Sequence, residues 1–189
     1  SDSQEKKKNK KKKYPLDTDF VRSFNFVTLD VRDKKNRGVL DPIVLFDETE
    51  AIATAKAMLT NIYEGIWNLK QKTEINETIA AVVKERKSGK KVGFWHVIER
   101  LAKSSIPDVE DMGRFLLSTI KESILELAFS HGETPGLSFE KKVTILEIED
   151  LDLPTDKNEH MDENKRLSVT LMFALGTFCS KFGSRNPKQ

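Results

Sequence analysis

The sequence predicts a mainly α-helical fold with a few β-strands, in which a helical bundle lies between two short extended segments. Three observations lead there. Through the middle of the chain apolar residues recur in steps of three and four, the stripe of an amphipathic helix. Residues 24–31 and residues 143–148 instead combine β-branched or aromatic side chains in strand-like runs. Finally, 38% apolar residues in a chain of 189 suffice for one core, or for one domain with a subdomain. Charged residues reach 33%, above the usual ~25%, which suits a well-solvated helical surface.

Residues 1–13 carry seven lysines (Lys6, Lys7, Lys8, Lys10, Lys11, Lys12 and Lys13) against Asp2 and Glu5. With no apolar residue before Tyr14, this tail has no burial to offset the entropy of ordering, and it reads as disordered. A solvated linker is its plain reading. The alternative is a contact with nucleic-acid phosphates or anionic lipid, limited in reach by salt screening. The tail also masks the charge of the rest. Of 32 basic and 30 acidic residues it holds seven and two, so the remaining 25 and 28 leave the body from Tyr14 onward at −3. A duplex-binding domain would show the opposite, a basic body face.

Residues 14–46 form a strand and a connector. The strand is Phe24-Asn25-Phe26-Val27-Thr28-Leu29-Asp30-Val31, and the turn chemistry of residues 33–38 ends it, with Gly38 free to take positive φ. In Val39-Leu40-Asp41-Pro42-Ile43 the proline biases Asp41 toward extended geometry, so the segment is expected to be a rigid connector rather than a helix.

Residues 47–131 form the bundle. Asp47 is the expected N-cap of a helix with the stripe Ile52, Ala55, Leu59, Ile62, Ile66 and Leu69, in which Gly65 costs about 1 kcal/mol. Thr73 is the expected N-cap of the next, with Ile75, Ile79, Val82 and Val83 on one face and Gly89 ending it. A short helix follows through Phe94, Val97, Ile98 and Leu101. After the break at residues 104–107, Val109, Met112, Leu116, Ile120, Ile124 and Leu127 predict one more, ending before His131-Gly132.

Residues 132–189 return through a loop, a largely apolar strand at Val143–Ile148 expected inside a sheet, and a turn, Leu151-Asp152-Leu153-Pro154. A last helix near residues 162–182 places Leu167, Leu171, Leu175, Phe178 and Phe182 on one side. Two strands alone make a marginal sheet: either they pair with each other over the helices, or their partners lie outside this chain.

The chemistry is mostly negative. One cysteine, Cys179, excludes an internal disulfide framework, and its place beside Phe178 predicts a buried, inert thiol. No apolar run approaches the ~20 residues of a membrane span, and no export signal is expected. Ser88-Gly89-Lys90-Lys91 imitates the end of a phosphate-binding Walker A loop. It lacks the earlier glycine, where Lys84 stands, and a Ser or Thr after the lysine, and it follows a helix rather than a strand. Residues 143–150 imitate a Walker B strand, but with no phosphate loop in the chain a buried strand entering a polar turn is the simpler reading. His96, His131 and His160 show no metal spacing. Trp67 and Trp95 sit at packing positions, and no catalytic residue is assigned.

Three blocks carry a resemblance: Asn36-Arg37-Gly38-Val39-Leu40-Asp41-Pro42 before a long helix, Leu137-Ser138 through Val143–Ile148 to Asp150-Leu151-Asp152-Leu153-Pro154, and the last helix into Lys181-Phe182-Gly183. In this order they resemble the conjugative type IV secretion ATPases, the CagE/TrbE/VirB family within the HerA/FtsK-like P-loop motors, over residues 20–189. The resemblance implies a helical subdomain with flanking pieces of a RecA-like α/β ATPase core, inserted between Walker A and Walker B and containing neither. The absent start methionine then reads as that of a piece of a longer parent. The parent would use ATP and magnesium to energise channel assembly or DNA–protein transfer, while no cofactor or metal is expected on this piece. Gly38, Asp41 and Pro42 would form the connector between core and subdomain, and Leu153 and Pro154 the return. Implied partners are other secretion components and further copies of the parent, at the inner face of a bacterial membrane, peripheral and cytoplasmic. The expected role of the piece is a lid or interaction subdomain, inactive alone. The alternative is a stand-alone interaction module whose lysine arm binds nucleic acid. A small independent enzyme ranks third.

Overall fold

Strand β1 (Phe24–Leu29) pairs in parallel with β2 (Val143–Ile148), Phe24 opposite Val143 and Leu29 opposite Ile148. In the computed structural model the described residues are 24–138 and 143–183; the lysine tail lies outside them. Parallel neighbours cannot be joined by a hairpin and need a crossover. Here that crossover is residues 30–142, and it contains the whole bundle. Of the two alternatives left open by the sequence, the strands pair with each other. Val27, Leu146 and Ile148 pack against the core, and Leu29 is buried, while Phe26 and its partner Ile145, on the other face, are 64% and 46% exposed.

Six helices complete the described fold: α1 (Pro42–Leu45), α2 (Glu48–Ile62), α3 (Leu69–Lys87), α4 (Phe94–Ala102), α5 (Pro107–Ile120) and α6 (Glu163–Gly183). The described residues are mainly α with two short strands, as the periodicities indicate. Helices α2 to α5 form the bundle, α6 packs along α2, and a 3-10 turn at Ile124–Ala128 lies against α6. Leu59, Ile79, Ile98, Leu116 and Leu125 are fully enclosed at its centre. No described helix is long and apolar enough to cross a membrane.

Several local expectations are corrected. The connector is not wholly extended: Asp41 is extended as expected, but its carboxylate caps the single turn α1, with Pro42 at the first helical position, where a missing N–H costs nothing. Helix α2 stops at Ile62. Ile66 and Leu69, which continue its stripe in sequence, are 85% and 82% exposed. The chain leaves the helix at Tyr63 so that the Trp67 ring can stack on Tyr63 at 4.3 Å and its Nε1–H can donate to the Leu59 carbonyl at 3.1 Å. The N-cap of α3 is Asn68, not Thr73. Asn68 Oδ1 accepts from the Gln71 N–H and Gln71 Oε1 accepts from the Asn68 N–H, a reciprocal capping box; Thr73 instead bonds back to the Leu69 carbonyl.

Gly89 ends α3 as expected, at φ 97°. The stripe predicted to run from Val109 to Leu127 breaks after Ile120, because Glu122 takes φ 61° and Ser123 caps the following 3-10 turn. Leu125 and Leu127 remain buried although the helix has ended. In α6, Leu167, Leu171, Leu175 and Phe178 are buried as expected, and the side chain of Phe182 lies outside those described. Cys179, by contrast, is exposed. One position beyond Phe178 is a rotation of about 100° around the helix, which carries the thiol off the apolar stripe.

Candidate functional site

Asp41 is the most constrained polar side chain described. It is fully buried. Its Oδ1 accepts from the Ile43 N–H at 2.7 Å, while Oδ2 accepts from the N–H groups of Phe94 at 2.8 Å and Ser130 at 2.9 Å. One carboxylate thus ties the connector, the start of α4 and the segment after the 3-10 turn. Burial pushes its pKa up to about 7, against the three backbone hydrogen bonds and the Arg86 charge, which favour the ionised form.

The backbone around it is laced in the same sense. The Gly38 N–H donates to the Glu126 carbonyl and the Leu40 N–H to the Leu127 carbonyl, each at 2.8 Å, and the Leu137 N–H donates to the Val39 carbonyl at 2.9 Å. Two glycines permit this approach. Gly38 takes φ 83°, and a Cβ there would lie 2.5 Å from Ser130 Cα; a Cβ on Gly93 would lie 2.4 Å from the Ser130 carbonyl oxygen. Phe94 stacks on Phe129 at 4.2 Å and Trp95 on His131 at 4.7 Å, closing the junction with aromatic surface. His96 Nδ1 accepts from the Gly93 N–H at 3.0 Å, so this imidazole completes the first turn of α4. At the rim, Arg37 pairs with the nearly buried Glu126 at 3.2 Å and donates to the Val31 carbonyl. Arg86 donates to the carbonyls of Val92 and Gly132.

The structure therefore brings Gly38, Asp41 and Pro42 into one junction. It sets Leu153 and Pro154 elsewhere, on the turn after β2, whose hydrogen bonds run to α6: the Asp152 N–H donates to Ser168 Oγ, and Lys165 donates to the Asp152 carboxylate. The seven tail lysines lie outside the described residues. Gly93, Ser130 and the amide of Phe94 complete the Asp41 junction, and sequence reasoning missed all three in that role. A signal was present in Gly93, which stands immediately before an apolar run and has no side chain to cap it.

The chemistry of the junction is positional. All three of the Asp41 hydrogen bonds come from backbone amides, so the carboxylate is committed to holding the fold. Ser88-Gly89-Lys90-Lys91 follows the end of α3 and is not a strand-to-helix turn, so these residues do not fit a Walker A loop. Glu149 extends the ladder by donating its N–H to the Leu29 carbonyl, and Asp150 turns at φ 62° beside Arg32. Among the described residues no three His, Cys, Asp or Glu side chains converge as a metal-donor set.

With helices and parallel strands so arranged, comparison with known proteins gives the class. The chain belongs to the AAA-like domain family, whose model matches residues 2–189. It is 32% identical over 182 residues to the uncharacterized protein YddE of Bacillus subtilis (strain 168), an alignment covering 93% of this chain and 21% of YddE. The chain thus spans about a fifth of that relative's length. No solved structure matches.

Proposed function

We propose that this chain is the helical subdomain of a conjugation-type, type IV secretion ATPase, acting as a lid or interaction unit without a complete ATP site of its own. The observation that carries this reading is the parallel pairing of β1 with β2 across residues 30–142. A helical block spliced into a crossover between adjacent parallel strands is how an insertion sits in an α/β core. Family membership supports an ATPase-related role. The Asp41 junction gives the insertion a stiff base: a lid or interaction face must move or bind as one body, and three backbone segments clamped to one carboxylate supply that rigidity. ATP and magnesium would bind to the parent outside these residues. Its partners would be secretion components and its own copies, at the inner face of a bacterial membrane.

The test is ATP hydrolysis by purified 1–189 and by the full-length parent. The parent is expected to hydrolyse ATP and 1–189 to match a protein-free blank; turnover by 1–189 would overturn the reading. A second reading rests on the seven-lysine tail, as an arm gripping nucleic acid. It predicts binding that weakens steeply between two salt concentrations and vanishes when residues 1–13 are deleted.

A further inference from the structure

Helices α4 and α5 form a hairpin closed unusually tightly at one point. A Cβ on Gly113 would lie 2.1 Å from the Ala102 nitrogen, so only glycine lets the two backbones meet there. Their outer surfaces enclose an open groove of about 730 Å³, lined by Trp95, Glu99 and Lys103 from α4 and its end and by Arg114, Phe115 and Lys121 from α5 and its end. Its α4 wall is a helix of nine residues, about 13 Å long, or some two to three turns.

The floor is apolar. Phe115 is 38% exposed although it touches both Tyr63 and Trp67. The rim is basic: Lys103, Arg114 and Lys121 stand against Glu99. Arg114 has only a marginal 4.0 Å pairing with Glu110, and Lys103 and Lys121 form no ion pair among the described residues. Lys103 directly follows α4, Lys121 directly follows α5, and Arg114 is the residue after the Gly113 contact. A local excess of positive charge over an aromatic floor contrasts with the −3 of the body.

We infer that the α4–α5 groove docks an amphipathic helix from another protein, apolar on one face and acidic along its flanks. The geometry is that of helix-in-groove recognition, with apolar anchors at i, i+3 or i+4, and i+7 on the floor. Carboxylates along the flanks of such a helix would meet Lys103 and Lys121, which form no ion pair among the described residues, and Arg114, whose one pairing is the 4.0 Å contact with Glu110. Electrostatic complementarity of this kind sets specificity more than affinity. A nucleic acid fits less well. Three cations release few counterions, and the Trp95 face that could stack a base is occupied by His131. The inference rests on reading this subdomain as an interaction unit and not on nucleotide chemistry, so it and the hydrolysis test fail independently.

The experiment titrates 1–189 into two dye-labelled helical peptides of roughly 14 residues and reads fluorescence anisotropy. Both carry leucines at i, i+3 and i+7; one has glutamates on its flanks and the other lysines. The acidic peptide is expected to bind at least about tenfold more tightly. The variant K103E/K121E, checked for unchanged circular dichroism, should reverse that order, and F115A should weaken both. Equal binding of the two peptides, binding by neither, or indifference to K103E/K121E would overturn the proposal. So would a doubling of mass by light scattering that K103E/K121E abolishes, which would give the groove to a second copy. Competition by a single-stranded oligonucleotide of similar length would give it to nucleic acid.

Discussion

The Oδ2 atom of Asp41 lies 2.8 Å from the amide nitrogen of Phe94, which is 53 positions further along the chain. That bond fixes the first turn of α4 to the connector leaving β1. It makes the carboxylate the hub on which the connector, the start of α4 and the segment at Ser130 are held together. Asp41→Asn puts an amide N–H₂ among three N–H donors, stranding at least one of them. A buried donor without a partner costs about 1–3 kcal/mol. The expected loss of unfolding free energy in urea, above about pH 7 where the group is ionised, is in that range, and Asp41→Ala should lose more. A loss below about 0.5 kcal/mol, the level of an ordinary surface change, would show that water replaces the carboxylate.

The same group gives a signed pH dependence. The Asp41 carboxyl is raised by burial from an ordinary 3.8 to about 7, so between those values the folded chain binds more protons than the unfolded one. Stability from this source is complete below the unfolded value, falls as pH rises from about 4 to about 7, and is level above. Wild-type stability relative to Asp41→Asn, measured by urea melts across that window, should therefore decline with pH. A rise over the same window would contradict the assignment.

Two glycines should respond oppositely to alanine. Gly113→Ala places a methyl against the backbone of Ala102, which cannot rotate away. Overpacking of this kind costs about 1–3 kcal/mol, more than the helix propensity gained. At Gly176 on α6, a methyl group would meet no described atom of another element within 4 Å, so Gly176→Ala should stabilise by about 0.5–1 kcal/mol. Thermal or urea melts of the two variants check both signs.

Helix α3 offers a test of where it begins. Asn68→Ala removes one side of the capping box and the Asn68 bond to Asp108 at 3.1 Å. It should cost about 1 kcal/mol. Thr73→Ala, inside the helix and on its exposed face, should stay within about 0.5 kcal/mol of the wild type. Urea melts of the two variants distinguish the two starting points.

The types of element were legible because they depend on local patterns. The stripes Ile75–Ile79–Val82–Val83 and Leu167–Leu171–Leu175 repeat at the period of a helix turn and are buried in the structure. Gly89 ends α3 because the left-handed backbone it adopts is open to glycine. The misplaced boundaries have one origin. Ile66, Leu69, Ile124 and Leu127 all continue a helical stripe in sequence. The chain nevertheless leaves the helix at Tyr63, where Trp67 finds a better hydrogen bond and ring contact, and at Glu122, where Ser123 caps a new turn. Periodicity records which side chains are apolar; it carries no record of which backbone break lets them pack best.

Gly38, Asp41 and Pro42 could be read as one connector because Pro42 restricts the backbone of Asp41 and Gly38 permits the turn before it, both local effects. That Phe94 and Ser130 converge on the same carboxylate could not, since hydrogen bonds across 53 and 89 positions leave no periodic trace. By itself, then, the order of residues determined the helical block, the two strands outside it and the charge contrast between tail and body. Only the tertiary structure decided that the strands run side by side, that one buried acid binds three segments, and that a basic-rimmed groove opens between α4 and α5. These depend on distances between parts far apart in the chain, and such distances are settled by packing the whole core at once.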